Sequence, residues 1–312
     1  MNVLFTNAGR KTYLIENALE LIGIGFDINV FVSDVCLHTA SLHVSPEVKR
    51  ISTPFVTNNE ELYLHTLLKE CEKNNINIII PLMDYELPIL SKNKKEFEKL
   101  GIRIWISDFS TISNCLDKRK NYSFCLENSI VVPKSWFQKQ KFDFKTIRKK
   151  IWGSGSIGQQ IIVPETEFEF SDGEDMLQEY ITGKEIGMDV FNDYNGNYVH
   201  SSFRKKILMR SGETDKAITF YDKKYEQLAK EISKAFKHVG NMDIDLIETE
   251  DGRSIFIDFN PRFGGGYPFS YLSGVNYIRY IVEESLGLTP SRPVFKKSIT
   301  GMKGLKVFYY EN

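Results

Sequence analysis

The sequence has little cysteine, no long apolar run and no excess of charge of either sign. Its four cysteines, Cys36, Cys71, Cys115 and Cys125, lie far apart without a C-x-x-C pair. This spacing argues against the usual zinc motifs and against a secreted disulfide framework. No apolar run reaches the length of a membrane span, and the strand-like start is unlike a secretion signal. We therefore expect a protein of the reducing cytoplasm without a membrane partner.

The balance of charge excludes another class of partner. With 40 basic and 41 acidic residues the formal net charge is -1, and the lysines are scattered rather than massed. Nothing in this distribution favours binding to nucleic acid. A chain of 312 residues with 42% hydrophobic and 26% charged content is long enough for two or three compact units with cores of their own.

Strand and helix patterns alternate over the first third of the chain. This alternation predicts a doubly wound parallel sheet, which binds ligands at the carboxyl ends of its strands. The predicted strands are residues 3–6, 27–33, 76–81 and 102–106, and the predicted helices are residues 13–22, 60–73 and 92–100.

Two loops of this predicted sheet carry candidate binding residues. The turn at residues 7–10 follows the first strand, but the G-x-G-x-x-G dinucleotide fingerprint is absent and only one glycine is available there. Arg10 and Lys11 either meet an acidic substrate or are two solvated cations at a helix start. Asp84 and Glu86 follow the third strand, where they either hold a substrate amine or are merely solvated.

A Gly/Ser-rich tip, residues 153–158, lies in the middle of the chain. It joins two predicted strands and offers backbone N–H groups and hydroxyls of the kind that cover phosphates. Because no G-K-[ST] ending follows, the tip is not a P-loop, and taken alone it is more typical of a flexible loop. The surrounding predicted elements are a helix at 117–127, strands at 146–150, 160–163, 177–181, 186–191, 199–209 and 243–248, and a long helix at 221–239.

Polar side chains alternate at the end of a predicted strand, residues 254–259. Asp258, Asn260 and Arg262 lie two apart, so their side chains point to one face of an extended chain. Asp258 and Asn260 supply the hard oxygen ligands that Mg²⁺ prefers, and Arg262 adds a planar cation suited to a carboxylate or phosphate. The glycines at 264–266 would let backbone approach a ligand closely. An ordinary strand end with a glycine-rich turn explains this stretch equally well.

A predicted hairpin adds a second acid to this group. The Asp251-Gly252 turn joins the strand at 243–248 to the strand at 254–259, which places Asp245 near Asp258. Two carboxylates on facing strands repel each other unless a cation lies between them. The pair therefore indicates a bound metal ion.

Several motifs in a fixed order make the chain similar to the ATP-grasp superfamily. It resembles stand-alone enzymes related to one half of the carbamoyl phosphate synthetase large subunit and to the pyrrolysine-pathway ligase. The resemblance covers nearly the whole chain, and its most specific motif is FNPRFGGGYP. The other motifs are MNVLFTNAGRKTYLI, IIIPLMDYEL, DKRKNYSFCLENSIVVPK, WGSGSIG, LQEYITGKEIGMDV and RSGETDK.

The resemblance implies a fold of mixed α/β and α+β class. A Rossmann-like pre-ATP-grasp domain is expected at 1–110, a linker helix and a small lid at 111–178, and the ATP-grasp core with the Mg-ATP site at 179–312. The lid is shorter than is usual in this superfamily, and Lys149-Lys150-Ile151 stands where relatives read K-P-R. Either Lys149 or Lys150 could therefore be the functional cation. Asp258 takes the place of the more usual Glu.

The resemblance also implies roles for individual residues. Nucleotide contacts are expected from the basic residues Lys118 and Lys149, the lid residues Ser154, Gly155 and Ser156, the hinge residues Glu179, Tyr180 and Ile181, and the ribose-binding Glu185. The expected metal ligands are Asp245, Asp258 and Asn260, and the expected catalytic residues are Arg262, Arg210 and Asn260.

The activity implied by the resemblance is that of an ATP-dependent ligase. It would activate a small-molecule carboxylate as an acyl phosphate, with ATP and Mg²⁺ or Mn²⁺, and join it to an amine. The acceptor pocket is expected around Asn7, Arg10, Asp84, Arg210 and residues 264–267. A kinase-like member, a nucleotide-binding protein without turnover, and a homodimer all remain open.

Overall fold

The computed structural model describes residues 1–153 and 158–310. Within those ranges the strands form three sheets that follow one another along the chain. The first is parallel, and the second and third are antiparallel. This combination of a parallel α/β unit with antiparallel α+β units confirms the predicted fold class.

The first sheet has the strand order β3-β2-β1-β4-β5. The order reverses between β1 and β4, which is where doubly wound sheets bind ligands beyond the carboxyl ends of their strands. Alternate residues of β1 fill two separate cores, Val3 and Phe5 on one face and Leu4 on the other. The strands are β1 Asn2–Thr6, β2 Asn29–Asp34, β3 Lys49–Ser52, β4 Ile78–Pro81 and β5 Arg103–Ile104.

Helices cover both faces of this sheet. Helix α2, Glu60–Lys73, begins and ends where the sequence predicts. The side chain of Asn59 accepts a hydrogen bond from the N–H of Leu62 and so caps the start of the helix. The other elements of this part are α1 Thr12–Gly23, a 3-10 turn at Ala40–His43, α3 Leu87–Lys92, α4 Lys94–Lys99, α5 Phe109–Leu116 and α6 Lys118–Glu127.

The second sheet is small and has the order β6-β9-β7-β8. Ile162, Phe168 and Leu177 form its buried core, with Trp136, Phe142 and Phe170 packed around them. Such a small core gives this sheet little apolar burial of its own. Its strands are β6 Ser135–Trp136, β7 Thr146–Lys150, β8 Gln160–Ile162 and β9 Asp175–Glu179.

The third sheet has the order β14-β13-β10-β11-β12-β15 and carries most of the candidate site. Helix α7, Lys223–Phe236, packs on one face and is shorter than the predicted 221–239, because Lys237 adopts a left-handed conformation with φ 46° and ends it. The remaining elements are β10 Lys184–Asn192, β11 Tyr198–Arg210, β12 Glu213–Phe220, β13 Gly240–Glu248, β14 Ser254–Asn260, α8 Tyr267–Leu272, α9 Tyr277–Ser285 and β15 Thr300–Met302.

The predicted domain boundaries remain predictions. The boundary after residue 110 falls inside α5, and the boundary after residue 178 falls before the last residue of β9. No helix in residues 1–153 or 158–310 has both the length and the apolar composition needed to cross a membrane.

The start of helix α6 depends on one buried carboxylate. The Asp117 side chain accepts hydrogen bonds from the N–H groups of Arg119, at 2.9 Å, and Lys120, at 3.4 Å. We expect Asp117→Ala to lower the free energy of unfolding by about 1 kcal/mol, the usual cost of losing such a cap. Urea unfolding measures this, and Asn59→Ala, which removes the cap of α2, should give a loss of similar size. A loss within experimental error of zero would contradict the capping role.

Candidate active site

Two facing carboxylates lie at the centre of the candidate site. Strands β13 and β14 pair antiparallel, and Asp245 stands directly opposite Asp258, which confirms that the hairpin brings the two acids together. Burial raises the pKa of Asp245. The paired acids lie on the same sheet as Glu185, at the start of β10. They thus form an acidic centre that favours a cation.

Lys206 forms an ion pair with Asp245, and no sequence motif marks this lysine. Its ammonium lies 2.7 Å from Asp245 Oδ1 and 3.8 Å from Glu185 Oε2, and its side chain is 5% exposed. The repulsion expected between the two acids is therefore reduced by a lysine of the protein itself. Repulsion between the two acids alone therefore does not require a metal ion.

The donor set nevertheless fits a hard divalent cation. Asn260 donates from Nδ2 to Asp258 Oδ2 at 3.1 Å, so that the amide and the carboxylate lie together at the end of β14. Two carboxylates and an amide are oxygen donors of the kind that Mg²⁺ prefers. Among the residues described, no three His, Cys, Asp or Glu side chains form a metal cluster. Further oxygen donors would then come from phosphates and water.

Lys118 and Lys149 line one cleft together with Asp258. Gln178 and Met176 of β9 also line it, so the cleft lies between the small second sheet and the third sheet. Lys149 donates from Nζ to Gln178 Oε1 at 2.7 Å, and burial lowers its pKa. This cleft brings two of the predicted phosphate-binding cations to the predicted metal ligand.

The structure separates Lys149 from its neighbour Lys150. Lys149 is buried in the cleft, whereas Lys150 is half-exposed and forms ion pairs with Asp175 at 2.9 Å and Glu174 at 3.1 Å. Residues two apart in a strand share a face and adjacent residues do not. The geometry therefore favours Lys149 over Lys150 as the cation that faces a nucleotide.

The expected hinge lies at the edge of the same cleft. The N–H of Glu179 donates to Lys134 O at 2.8 Å, and the N–H of Tyr180 donates to Lys145 O at 3.2 Å. Tyr180 and Ile181 follow β9 directly and lead into β10, where Glu185 lies. Lid residues Ser154, Gly155 and Ser156 lie outside the described residues.

Arg262 joins the ATP-grasp part to the first sheet. Its Nε and Nη2 each lie 3.0 Å from one carboxylate oxygen of Asp84, and Nη2 also donates to Asn260 Oδ1 at 3.3 Å. Asp84 lies just beyond the carboxyl end of β4, next to the point where the strand order reverses. The acid that the sequence left open as solvated or amine-binding is instead a buried partner of the predicted catalytic arginine.

Glu86 is also buried, and both of its carboxylate oxygens accept hydrogen bonds from within the fold. One carboxylate oxygen accepts from Tyr63 OH at 2.6 Å and from Asn7 Nδ2 at 2.8 Å. The other accepts from the N–H groups of Leu82 and Met83. Burial raises its pKa. Both alternatives for Glu86, amine binding and solvation, are therefore wrong, and Asn7 points to Glu86 rather than to an open pocket.

A network of buried charges underlies the glycine run at 264–266. Arg204 is 1% exposed and pairs with Asp189, at 2.6 Å, and with Asp243. A Cβ added at Gly264 would overlap the Asp243 carboxylate, and one at Gly266 would overlap the Arg204 guanidinium. The structure thus gives a packing reason for glycine here, beside the predicted close approach of a ligand.

Two members of the expected acceptor pocket, Arg210 and Tyr267, differ sharply in exposure. Arg210 is exposed at the end of β11 and pairs with Asp215 at 3.4 Å, so its catalytic role remains a prediction. Tyr267 is fully buried, and its hydroxyl donates to Val275 O within the core. Tyr267 is therefore a core residue, and its place in the predicted pocket is wrong.

Two family models match the sequence. The ATP-grasp domain matches residues 115–266, and the PylC-like N-terminal domain matches residues 3–105. A comparison with curated proteins finds no match.

Solved structures share the fold across nearly the whole chain. N5-carboxyaminoimidazole ribonucleotide synthetase from Thermotoga maritima has a TM-score of 0.69 at 18% identity, covering 95% of this chain and 79% of that one. The L-amino acid ligase from Bacillus licheniformis has a TM-score of 0.70 at 17% identity, covering 91% and 74%. The biotin carboxylase domain of Hydrogenobacter thermophilus 2-oxoglutarate carboxylase has a TM-score of 0.68 at 17% identity, covering 92% and 69%.

These identities are low, so the likeness to the solved structures establishes the fold. The family models add the domain types, in the order that the sequence motifs predict. Residues 115–266 of the chain therefore form an ATP-grasp domain, and residues 3–105 form a PylC-like N-terminal domain.

Proposed function

We propose that the protein is an ATP-dependent carbon-nitrogen ligase that forms ADP. The observation that carries this proposal is the convergence of Lys118, Lys149 and Asp258 in one cleft, with Asn260 and Arg262 continuing the same strand end. Activation of a carboxylate by ATP requires cations that bind the phosphates, oxygen ligands for a metal ion and a cation that faces the carboxylate.

In the proposed first step, a carboxylate oxygen of the substrate attacks the γ-phosphorus of ATP. The bond from that phosphorus to the bridging oxygen breaks, ADP leaves, and an acyl phosphate remains. Lys118 and Lys149 bind phosphate oxygens in this scheme, and Arg262, held by Asp84, places its positive charge beside the substrate carboxylate. The protein then contributes mainly positioning and charge neutralisation.

In the second step an amine nitrogen attacks the acyl carbon. A C–N bond forms, the C–O bond to phosphate breaks, and inorganic phosphate leaves. Asp245, Asp258 and Asn260 would hold Mg²⁺, which when bound offsets charge on the ATP phosphates. The related 2-oxoglutarate carboxylase domain was solved with MgADP and bicarbonate, which supports this use of the site.

Small-molecule carboxylates and amines are the proposed substrates, in a cytoplasmic protein. Neighbours named as a ribonucleotide synthetase and an amino acid ligase support substrates of this size. The Hydrogenobacter domain was solved as a dimer, which supports the proposal of a homodimer here.

The test is ADP release measured against a matrix of carboxylates and amines, with mass spectrometry of the product. We expect release that depends on both substrates. Asp258→Ala combined with Asn260→Ala should lower turnover by about 10²-fold or more, because contacts that stabilise transition-state charge are lost. The matched control is Asp251→Ala combined with Asn195→Ala, two exposed hairpin positions.

Three results would contradict the proposal. Amine-dependent ADP release that survives the Asp258 and Asn260 changes would exclude their assigned roles. A stable phosphorylated product formed without any amine would identify a kinase-like member. ATP binding by calorimetry without ADP formation across the whole matrix would identify a nucleotide-binding protein without turnover.

A further inference from the structure

Lys11 lies buried where the first sheet meets the ATP-grasp part. It follows the turn after β1, and its N–H donates to Ala8 O at 2.8 Å. Its side-chain amine reaches across to the carboxyl end of β4 and donates to Leu82 O. The residue is 9% exposed, so the sequence alternative of a solvated cation is wrong.

The position of Lys11 is fixed relative to the proposed catalytic arginine. Leu82, its hydrogen-bond partner, lies two residues before Asp84, which binds Arg262 through both carboxylate oxygens. Two residues after Lys11, Tyr13 OH donates to Gly264 O at 2.8 Å. The amine of Lys11 thus lies on the side that the first sheet presents to Arg262, the residue proposed to hold the substrate carboxylate.

The charged groups that face Lys11 are Arg262, Asp84, Glu213 and Glu86. Arg262 repels a second cation. Asp84 is bound by Arg262, Glu213 pairs with Lys303 at 2.9 Å, and Glu86 accepts four hydrogen bonds in a buried setting that raises its pKa. The carboxylates near Lys11 are thus engaged with other donors.

Burial and this neighbourhood act in the same direction on the lysine. Burial first, and the charge of Arg262 second, lower the pKa of Lys11 to about 7, against partial compensation from the three acids. A lysine of this kind is substantially neutral near pH 7 and carries a lone pair that an ordinary lysine does not offer.

We propose that Lys11 Nζ accepts the proton of the attacking amine in the ligation step. The inference rests on the proposed function. As the nitrogen forms its bond to the acyl carbon, one of its protons passes to neutral Lys11, which becomes an ammonium, while the C–O bond breaks and phosphate leaves. Solvent later takes the proton from Lys11 and restores the neutral form.

The test compares two amines on the same acyl phosphate. Hydroxylamine is mostly unprotonated at neutral pH and reacts without help from a base, giving a hydroxamate. An alkylamine substrate from the matrix above is mostly an ammonium ion at neutral pH. It must lose one proton before it attacks and another as the amide forms. We expect Lys11→Met and Lys11→Arg to lower the alkylamine rate by about 10²-fold, the usual contribution of a positioned base, and to preserve hydroxamate formation.

The ratio of the two rates is the decisive quantity, because it does not depend on how much of a variant folds. Deprotonation of the alkylamine itself cancels when the alkylamine rate of the unaltered protein is divided by that of a variant. This quotient should rise with pH through about 7, where Lys11 loses its proton. Lys69→Met, an exposed change on α2, is the control and should alter neither rate.

Two outcomes overturn the inference. An unchanged ratio in Lys11→Met and Lys11→Arg would show that Lys11 acts before the amine step or only supports the turn. A quotient of unaltered to variant alkylamine rates that stays constant with pH through about 7 would show that another group accepts the proton. If the unaltered protein forms neither hydroxamate nor amide with any carboxylate, the proposed ligase function itself fails, and the inference fails with it.

Discussion

Replacement of Arg204 by methionine is expected to lower the free energy of unfolding by about 3–5 kcal/mol, the usual cost of removing one partner of a buried ion pair. Arg204 is 1% exposed and lies between Asp189, which is fully buried, and Asp243. Methionine fills much of the volume but leaves Asp189 without its cation and Asp243 with Arg262 alone, whose Nη1 lies 3.8 Å away. Burial already raises the pKa of Asp189 despite the guanidinium.

The measurement is chemical denaturation followed by fluorescence and circular dichroism, with coincidence of the two curves as the check on a single transition. Arg253→Met is the matched control, since Arg253 pairs with Asp251 at 2.7 Å and both side chains are exposed, at 65% and 58%. An exposed pair of that spacing contributes at most about 1 kcal/mol. Equal losses in the two variants would mean that the Arg204 network does not stabilise the fold.

Local pattern was sufficient to bring the two acids into one neighbourhood but not to fix their register. Next to the Asp251-Gly252 turn Glu248 pairs with Ser254, and an irregularity between Leu246 and Asp245 then shifts the register so that Asp245 lies opposite Asp258. Helix α2 is more fully local, since its apolar spacing and its Asn59 cap lie within a few residues. Features fixed by a few neighbouring residues can be read from the chain directly.

The partners of these acids could not be read in the same way. Lys206 reaches Asp245 from two strands away, because β10 lies between β11 and β13 and presents only Gly187 beside Asp245. That glycine also leaves room for Arg204, whose Nε would lie 2.7 Å from a Cβ at this position. Strand order in a sheet is a tertiary property, and one sequence gives no direct measure of it.

Loops after strands were the least predictable part of the site. Asp84 and Glu86 have the composition of a solvated turn, yet Arg262 and Tyr63 bury them by reaching in from other elements. Their chemistry was recognisable but their partners were not, since the contact between Arg262 and Asp84 spans 178 positions of the chain. The role proposed for Arg262 comes from the resemblance, and the fold shows that Asp84 holds its guanidinium.

Exchange of Arg262 for lysine is expected to reduce turnover by about 10²- to 10³-fold, the range seen when one stabilising donor is removed from an active site. Lysine keeps the charge but cannot make two parallel hydrogen bonds to Asp84 and also reach Asn260, as the planar guanidinium does. The affinity for ATP, measured by calorimetry, should change little, because Lys118 and Lys149 lie in the neighbouring cleft.

A double-mutant cycle distinguishes a direct role of Arg262 from a role through Asp84. If Arg262 contacts the reacting groups and Asp84 only holds it, Asp84→Asn should lower turnover less than Arg262→Lys, and should add little in the Arg262→Lys background. Arg253→Lys, on the exposed hairpin turn and paired with Asp251, is the control. Near-normal turnover in Arg262→Lys would show that charge alone suffices there. Independent, multiplicative losses from the two changes would instead give Asp84 a function of its own at the junction of the first sheet with the ATP-grasp core.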